Sequence, residues 1–230
     1  MFSIEMTASQ LVLRMISEDG SIDNEKLLNA DLDSIDWTKI MKAVGNLSQM
    51  GITIVDKSRV SSNDVSTIAR MRKARVGVDF IVIDFIQIMQ SLDPKGKTID
   101  VQLGETSKAL KELSKELDIP VIALVQIGRD AEKRANKRPM MSDLRESGNL
   151  EQNADFVGAL YRPSYYYSMG NDPDYKDAGF TEEYYEMLSE FLIIKNRHGP
   201  SSLVIKEKFW GKYSRFDVDG AEEFEEEGVF

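Results

Sequence analysis

The sequence predicts an α/β fold in which helices flank a parallel sheet, and three observations carry that reading. Phe80–Ile83 and Val121–Val125 are near-continuous apolar runs of strand length, as expected of strands buried on both faces. Ala109, Leu110, Leu113 and Leu117 trace one helical face between those runs, giving the strand–helix–strand alternation of parallel sheets. Polar residues (Glu5, Asp84 and Gln126) stand at the C-terminal ends of apolar runs, the edge where open parallel sheets bind ligands.

The elements follow in order. Met1-Phe2-Ser3-Ile4 reads as the end of a buried strand. Thr7 with Gln10 forms a capping-box pattern ahead of Leu11, Val12, Met15 and Ile16 at helical spacing. Trp37, Ile40, Met41, Val44 and Leu47 mark an amphipathic helix that Gly51 breaks, and Ile52–Val55 is a short β-branched run. Ser62 is placed to cap a third helix carrying Val65, Ile68 and Ala69. Beyond residue 127 the pattern changes. Arg129–Met141 is basic and aperiodic, as in an exposed loop, and Tyr161–Phe180 reads as a tyrosine-rich loop or insertion. Phe191–Ile194 and Leu203–Ile205 are two strands joined by Asn196-Arg197-His198-Gly199-Pro200, and the residues after Phe216 read as disordered. The organisation expected is one domain over residues 1–217 and an acidic tail over 218–230.

Composition narrows the function classes. The chain has 230 residues, no cysteine and one histidine, His198, so disulfides, thiolate metal sites, histidine metal clusters and Ser-His-Asp catalysis are excluded or disfavoured. No apolar run reaches the length of a bilayer span, and the N-terminus lacks the pattern of a signal peptide. A net charge of −10 at first opposes nucleic-acid binding. Seven acids lie between Asp217 and Glu227 with no base among them; taking these seven from 39 leaves 32 against 29 basic residues. The acidity belongs largely to the tail.

The strand-end residues suggest chemistry as a set. Asp84 is placed to hold a nucleotide's magnesium, Glu5 to polarise an attacking water and Gln126 to sense a terminal phosphate. Taken singly, each also reads as a loop-side polar residue or helix cap. Lys195 and Arg197, two apart, share one face of an extended strand. They read either as part of a solvated hairpin turn or as cations reaching a neighbouring subunit's nucleotide. Arg129, Lys133, Arg134, Lys137, Arg138 and Arg145 could neutralise phosphates along a strand, although interleaved acids also make them an ordinary solvated surface.

Several blocks resemble those of the DnaB-type replicative DNA helicases, in the same order. They are Phe2–Met6, Val82–Met89, Ala123–Arg129, Lys137-Arg138-Pro139 with Ser142–Gly148, Glu151–Asp155, Lys195–Pro200, and the closing Trp210–Phe216. The resemblance runs from residue 1 to about residue 217. It implies a RecA-like sheet, parallel with a mixed edge, and a hexameric ring that couples ATP and Mg2+ to movement on single-stranded DNA. It implies that Glu5 is the catalytic glutamate, Asp84 the magnesium residue and Gln126 the phosphate sensor, with Lys195 and Arg197 acting across the subunit interface. Arg145, Glu146 and Gly148, with Arg129, fall where this family touches DNA. Phe85 stands where the family often has Tyr.

The family's P-loop, GxxxxGK[ST], has no counterpart here, since Gly77 and Gly96 lack its flanking pattern. The expectation is therefore a fold truncated at its P-loop strand and helix, without the N-terminal collar domain and with a P-loop-bearing partner chain. Primase, loader or polymerase are the further partners expected, the last through the acidic tail and its Phe224 and Phe230. The expected location is the cytoplasm of a bacterial or phage-infected cell. A non-catalytic RecA-like remnant or split-gene subunit acting within a ring is the alternative.

Overall fold

A computed structural model describes residues 1–225, with side chains described for all of these except 129–130, 145–149 and 218–225. In chain order the elements are β1 (Phe2–Ser3), α1 (Ala8–Gly20), α2 (Asn24–Asn29), α3 (Ser34–Gln49), α4 (Ser62–Val76), β2 (Ile81–Asp84), α5 (Ile99–Leu117) and β3 (Val121–Ala123). There follow α6 (Gly148–Asn153), β4 (Phe156–Tyr161), α7 (Pro163–Tyr166), α8 (Glu182–Met187), β5 (Leu188–Asn196), β6 (Leu203–Trp210) and β7 (Arg215–Glu225). They divide into two compact units, one of residues 1–12, 50–128 and 141–154, the other of residues 13–49, 129–140 and 155–230.

The first unit is built on a three-stranded parallel sheet in the order β1-β2-β3. The central strand β2 supplies Ile81 and Ile83, both buried, to a core with Phe2, Val65, Ala69, Leu103, Leu110 and Leu113. The face of β2 that carries Ile81 and Ile83 packs on this core, whereas Ile122 of β3 is 49% exposed. Ser61 caps α4 with Asp64 in a reciprocal capping box, one residue earlier than the Ser62 cap read from the sequence. Thr7 and Gln10 form the box expected at α1: the Thr7 N–H donates to Gln10 Oε1 at 3.0 Å and the Gln10 N–H to Thr7 Oγ1 at 3.3 Å. Ile52–Val55 does not form a strand. Only Val55 makes a bridge, parallel to Phe2, because one pair of backbone bonds is all that β1 can return. Helix α6 is tied down on α5 through buried Leu150 and through Asn153, whose Nδ2 donates to Ser107 Oγ at 2.7 Å.

The second unit holds a four-stranded antiparallel sheet, β4-β5-β6-β7. Strands β5 and β6 extend beyond the apolar runs that announced them, since ladder hydrogen bonds continue where side chains turn polar. The acidic stretch departs from the disordered expectation in the same way, pairing as part of β7 as far as Glu225, with Asp217 opposite Lys208. Residues 226–230, including Phe230, lie outside the described residues. The Tyr161–Phe180 segment is not a plain loop: α7 and a 3-10 turn at Met169–Asn171 organise it. Arg129–Lys133 is likewise a 3-10 turn. Helix α3 forms where expected, but only part of its apolar stripe faces inward. Ile40, Ala43 and Leu47 pack with Ile16 and Ile22, while Trp37, Met41 and Val44 are exposed.

Gly158 stands where β4 shifts register against β5. A Cβ there would lie 2.4 Å from Phe191 Cζ and 3.0 Å from Phe156 Cε1. Gly158→Ala is therefore expected to destabilise the chain by about 1–3 kcal/mol through overpacking, read from urea unfolding. Unchanged stability would show that Phe191 swings aside freely.

A buried ionic cluster fastens the 131–140 segment within this second unit. Arg138 donates from Nε and Nη2 to the two oxygens of Glu190 at 2.7 and 2.9 Å, and from Nη1 to Asp174 at 2.5 Å. Glu190 is 0% exposed and Arg138 4%. Burial disfavours the guanidinium charge, but the Glu190 carboxylate outweighs it and holds Arg138 above the ordinary arginine range. Tyr175 donates its hydroxyl to Glu190, and Tyr185 donates to Asp172 at 2.6 Å. Burial first, and then the neighbouring carboxylates, push both phenols upward, so they remain protonated donors.

Candidate functional site

Three strand ends converge in the first unit. Register places Ser3 beside Asp84 and Ile83 beside Ala123. The Ile4 N–H donates to the Asp84 carbonyl at 3.0 Å, the Leu124 N–H to Ile83 at 2.9 Å and the Ile86 N–H to Leu124 at 3.0 Å. These bonds hold the chain segments just beyond β1, β2 and β3 side by side. An open cleft of about 270 Å³ lies there, lined by Glu5, Asp84, Phe85, Leu124, Val125 and Gln126. The three polar residues singled out from the sequence therefore share one cleft.

Each is presented by a local device. After β1 the chain bends, and Ser3 Oγ donates to the Met6 carbonyl at 2.8 Å, closing a short loop with Glu5 exposed on it. Asp84 is the last residue of β2 rather than the first beyond it, so sheet hydrogen bonds fix its backbone on the β1 side. The Asp84–Phe85 peptide is cis. Gln126 lies three residues past β3, and its backbone is bonded to the side chain of Gln87. Neither Ser3 nor Gln87 had been assigned a role from the sequence. Gln87 lay within a recognised block, three residues from Asp84, and only its contacts give it one.

Among the described residues, no group of three or more His, Cys, Asp or Glu could hold a metal ion by itself. The cleft has carboxylates and an amide but neither Lys nor Arg in its lining. Such a donor set suits a hard cation shared with phosphate and water rather than a caged metal. It does not supply the positive cradle that a triphosphate needs.

Lys195 and Arg197 belong to the second unit. Lys195 is the penultimate residue of β5, opposite Val157, and Arg197 follows the strand's end. Arg197 donates from Nη1 to Asp155 at 2.8 Å and from its backbone to the Asp155 carbonyl at 2.9 Å, with 47% of its side chain exposed. The turn that follows is tightened by the His198 N–H bonding to Asn196 Oδ1 at 3.2 Å. The strand-end cations and the hairpin turn read from the sequence thus coexist. Arg145, Glu146 and Gly148 run from a 3-10 turn into the start of α6; their side chains, like that of Arg129, lie outside the described residues.

Comparison with known proteins decides the family. The family described as DnaB-like helicase C terminal domain matches residues 1–218. This chain belongs to that family. It is 40% identical over 222 residues to the replicative DNA helicase DnaB of Geobacillus stearothermophilus, covering 94% of this chain and 46% of that protein. A solved structure described as an ATPase domain matches with a TM-score of 0.81 at 34% identity, covering 94% of this chain and 72% of that one. A solved DnaB-like replicative helicase, described with its interactions with primase, matches with the same TM-score and identity over 94% of this chain and 49% of that one. The fold is accordingly RecA-like, and the chain spans about half the length of the curated relatives it matches.

Proposed function

We propose that this chain supplies the hydrolytic edge of a replicative DNA helicase, a hexameric ring that moves on single-stranded DNA and unwinds the duplex ahead. The observation that carries the proposal is the meeting of Glu5, Asp84 and Gln126 in one cleft at the C-terminal ends of β1, β2 and β3. Asp84 would hold the magnesium side of the nucleotide. The Glu5 carboxylate would orient an attacking water and accept its proton, and the Gln126 amide would donate to a terminal phosphate oxygen. Mg2+-ATP, when bound, supplies the phosphoanhydride and a cation that neutralises developing charge. The cradle for the inner phosphates must come from a P-loop outside these 230 residues, because no GxxxxGK[ST] occurs within them.

Lys195 and Arg197 would deliver positive charge to the neighbouring subunit's phosphates, Arg197 exchanging Asp155 for that partner. Arg129, Arg145, Glu146 and Gly148 would meet the DNA backbone in the ring's channel. Primase is a natural partner by analogy with the solved helicase whose primase contacts are described. A loader or polymerase, the latter through the acidic end, would complete the assembly. No helix among the described residues is long and apolar enough to cross a membrane, and the bacterial or phage-infected cytoplasm is the setting such a motor needs.

The test uses the complete motor, with this chain and its P-loop segment together. Asp84→Asn is expected to lower DNA-stimulated ATP hydrolysis and unwinding of a forked duplex at least about 100-fold. Undiminished hydrolysis in that variant would remove Asp84 from the metal site.

A further inference from the structure

Sheet hydrogen bonds stop short of Gln126. The last of them join Leu124 to Ile83 and Ile86, and β3 itself ends at Ala123. Beyond that point a side chain takes over. Gln87 lies in the 3-10 turn Ile86–Ile88 that follows β2, three residues after Asp84. Its Nε2 donates to the Gln126 carbonyl at 2.8 Å, and its Oε1 accepts from the Gln126 N–H at 3.2 Å. Only one orientation of the amide satisfies both bonds. The flipped amide would set donor against donor and acceptor against acceptor. A side-chain amide thus imitates a strand partner for a residue that has none, and it springs from the same connection that leaves Asp84.

We propose that Gln87 is a positioning residue that clamps the Gln126 backbone and so fixes the Gln126 amide in the cleft with Glu5 and Asp84. This rests on the reading of that cleft as the ATP-hydrolysing site. A glutamine that must meet one phosphate oxygen works only from a fixed backbone, because a misplacement of about 1 Å can cost a reaction on the order of 100-fold. The clamp also joins the carboxylate-bearing and amide-bearing strand ends, so a displacement of one is passed to the other without an intervening ladder.

The experiment has two arms. In the chain itself, amide hydrogen exchange is followed at Gln126 and at Leu124, whose N–H is held by the Ile83 carbonyl. Gln87→Ala is expected to speed Gln126 exchange at least about tenfold while leaving Leu124 unchanged. In the complete motor, Gln87→Ala is expected to lower kcat roughly 10- to 100-fold with KM for ATP little changed. On a Gln126→Ala background it should add almost nothing, because the two act through one group. Gln87→Glu sets a carboxylate oxygen against the Gln126 carbonyl, and is expected to be no better than Ala in both arms.

Unchanged Gln126 exchange, or an equal loss of kcat in both backgrounds, overturns the proposal. Undiminished hydrolysis in Gln126→Ala alone overturns the ATPase reading of the cleft, a failure that the exchange arm separates from failure of the clamp.

Discussion

Glu5→Gln is expected to lower ATP hydrolysis by the complete motor on the order of 10²- to 10⁴-fold, while nucleotide binding and thermal stability stay close to wild type. The substitution keeps the shape of the side chain and removes only its charge and its capacity to take a proton. Glu5 is exposed on a bend that Ser3 and Met6 hold through their own hydrogen bond. It has no part in the core around Ile83, so loss of its charge should leave the fold alone. Steady-state hydrolysis with saturating single-stranded DNA, alongside direct nucleotide binding, separates the two effects. Undiminished turnover would move the general base elsewhere.

Breaking the Arg138–Glu190 pair is expected to have the largest effect on stability. Removing Arg138 strands the fully buried Glu190 carboxylate, which typically costs about 3–5 kcal/mol, whereas removing Glu190 leaves Arg138 still paired with Asp174 and costs less. Against a usual total of roughly 5–15 kcal/mol, Arg138→Ala brings the chain nearer its unfolding limit than Glu190→Ala does. The double replacement Arg138→Met with Glu190→Met should recover much of that loss, since neither desolvated charge then remains. Tyr175 limits the recovery, because its hydroxyl donates to Glu190 and would be orphaned. Urea unfolding of the two single variants and the double variant measures the coupling. Arg138→Ala within about 1 kcal/mol of wild type would show that water reaches Glu190.

The parallel sheet was legible because it is written in one-dimensional apolarity. The runs around Ile83 and Val121 are near-continuously hydrophobic, and α5 carries its period plainly in Leu110, Leu113 and Leu117. The cleft was legible for a related reason. In a parallel sheet every strand delivers its C-terminal end to the same edge, so the polar residues that follow the runs must gather there. The existence of α3 was legible but its inward stripe was not, because Trp37, Met41 and Val44 are as apolar as Ile40 and Leu47, and periodicity cannot say which of them face inward. The Gln87 clamp and the Arg138–Glu190 pair escaped for another reason. Their partners lie 39 and 52 positions away, and nothing local to Gln87 or Arg138 specifies such distant pairings. The continuation of β7 to Glu225 escaped because strand pairing is set by the neighbour β6, while composition there argued only for solvation.

The proposal at the centre of this account is that the chain holds the hydrolytic groups of the motor and not its phosphate cradle. ATP hydrolysis by the purified chain, before and after addition of the P-loop-bearing segment and with single-stranded DNA present, tests it most directly. No turnover is expected from the chain alone, and DNA-stimulated turnover from the combination, lost again with Glu5→Gln. Turnover by the chain alone, or none from a combination shown to assemble, would contradict it.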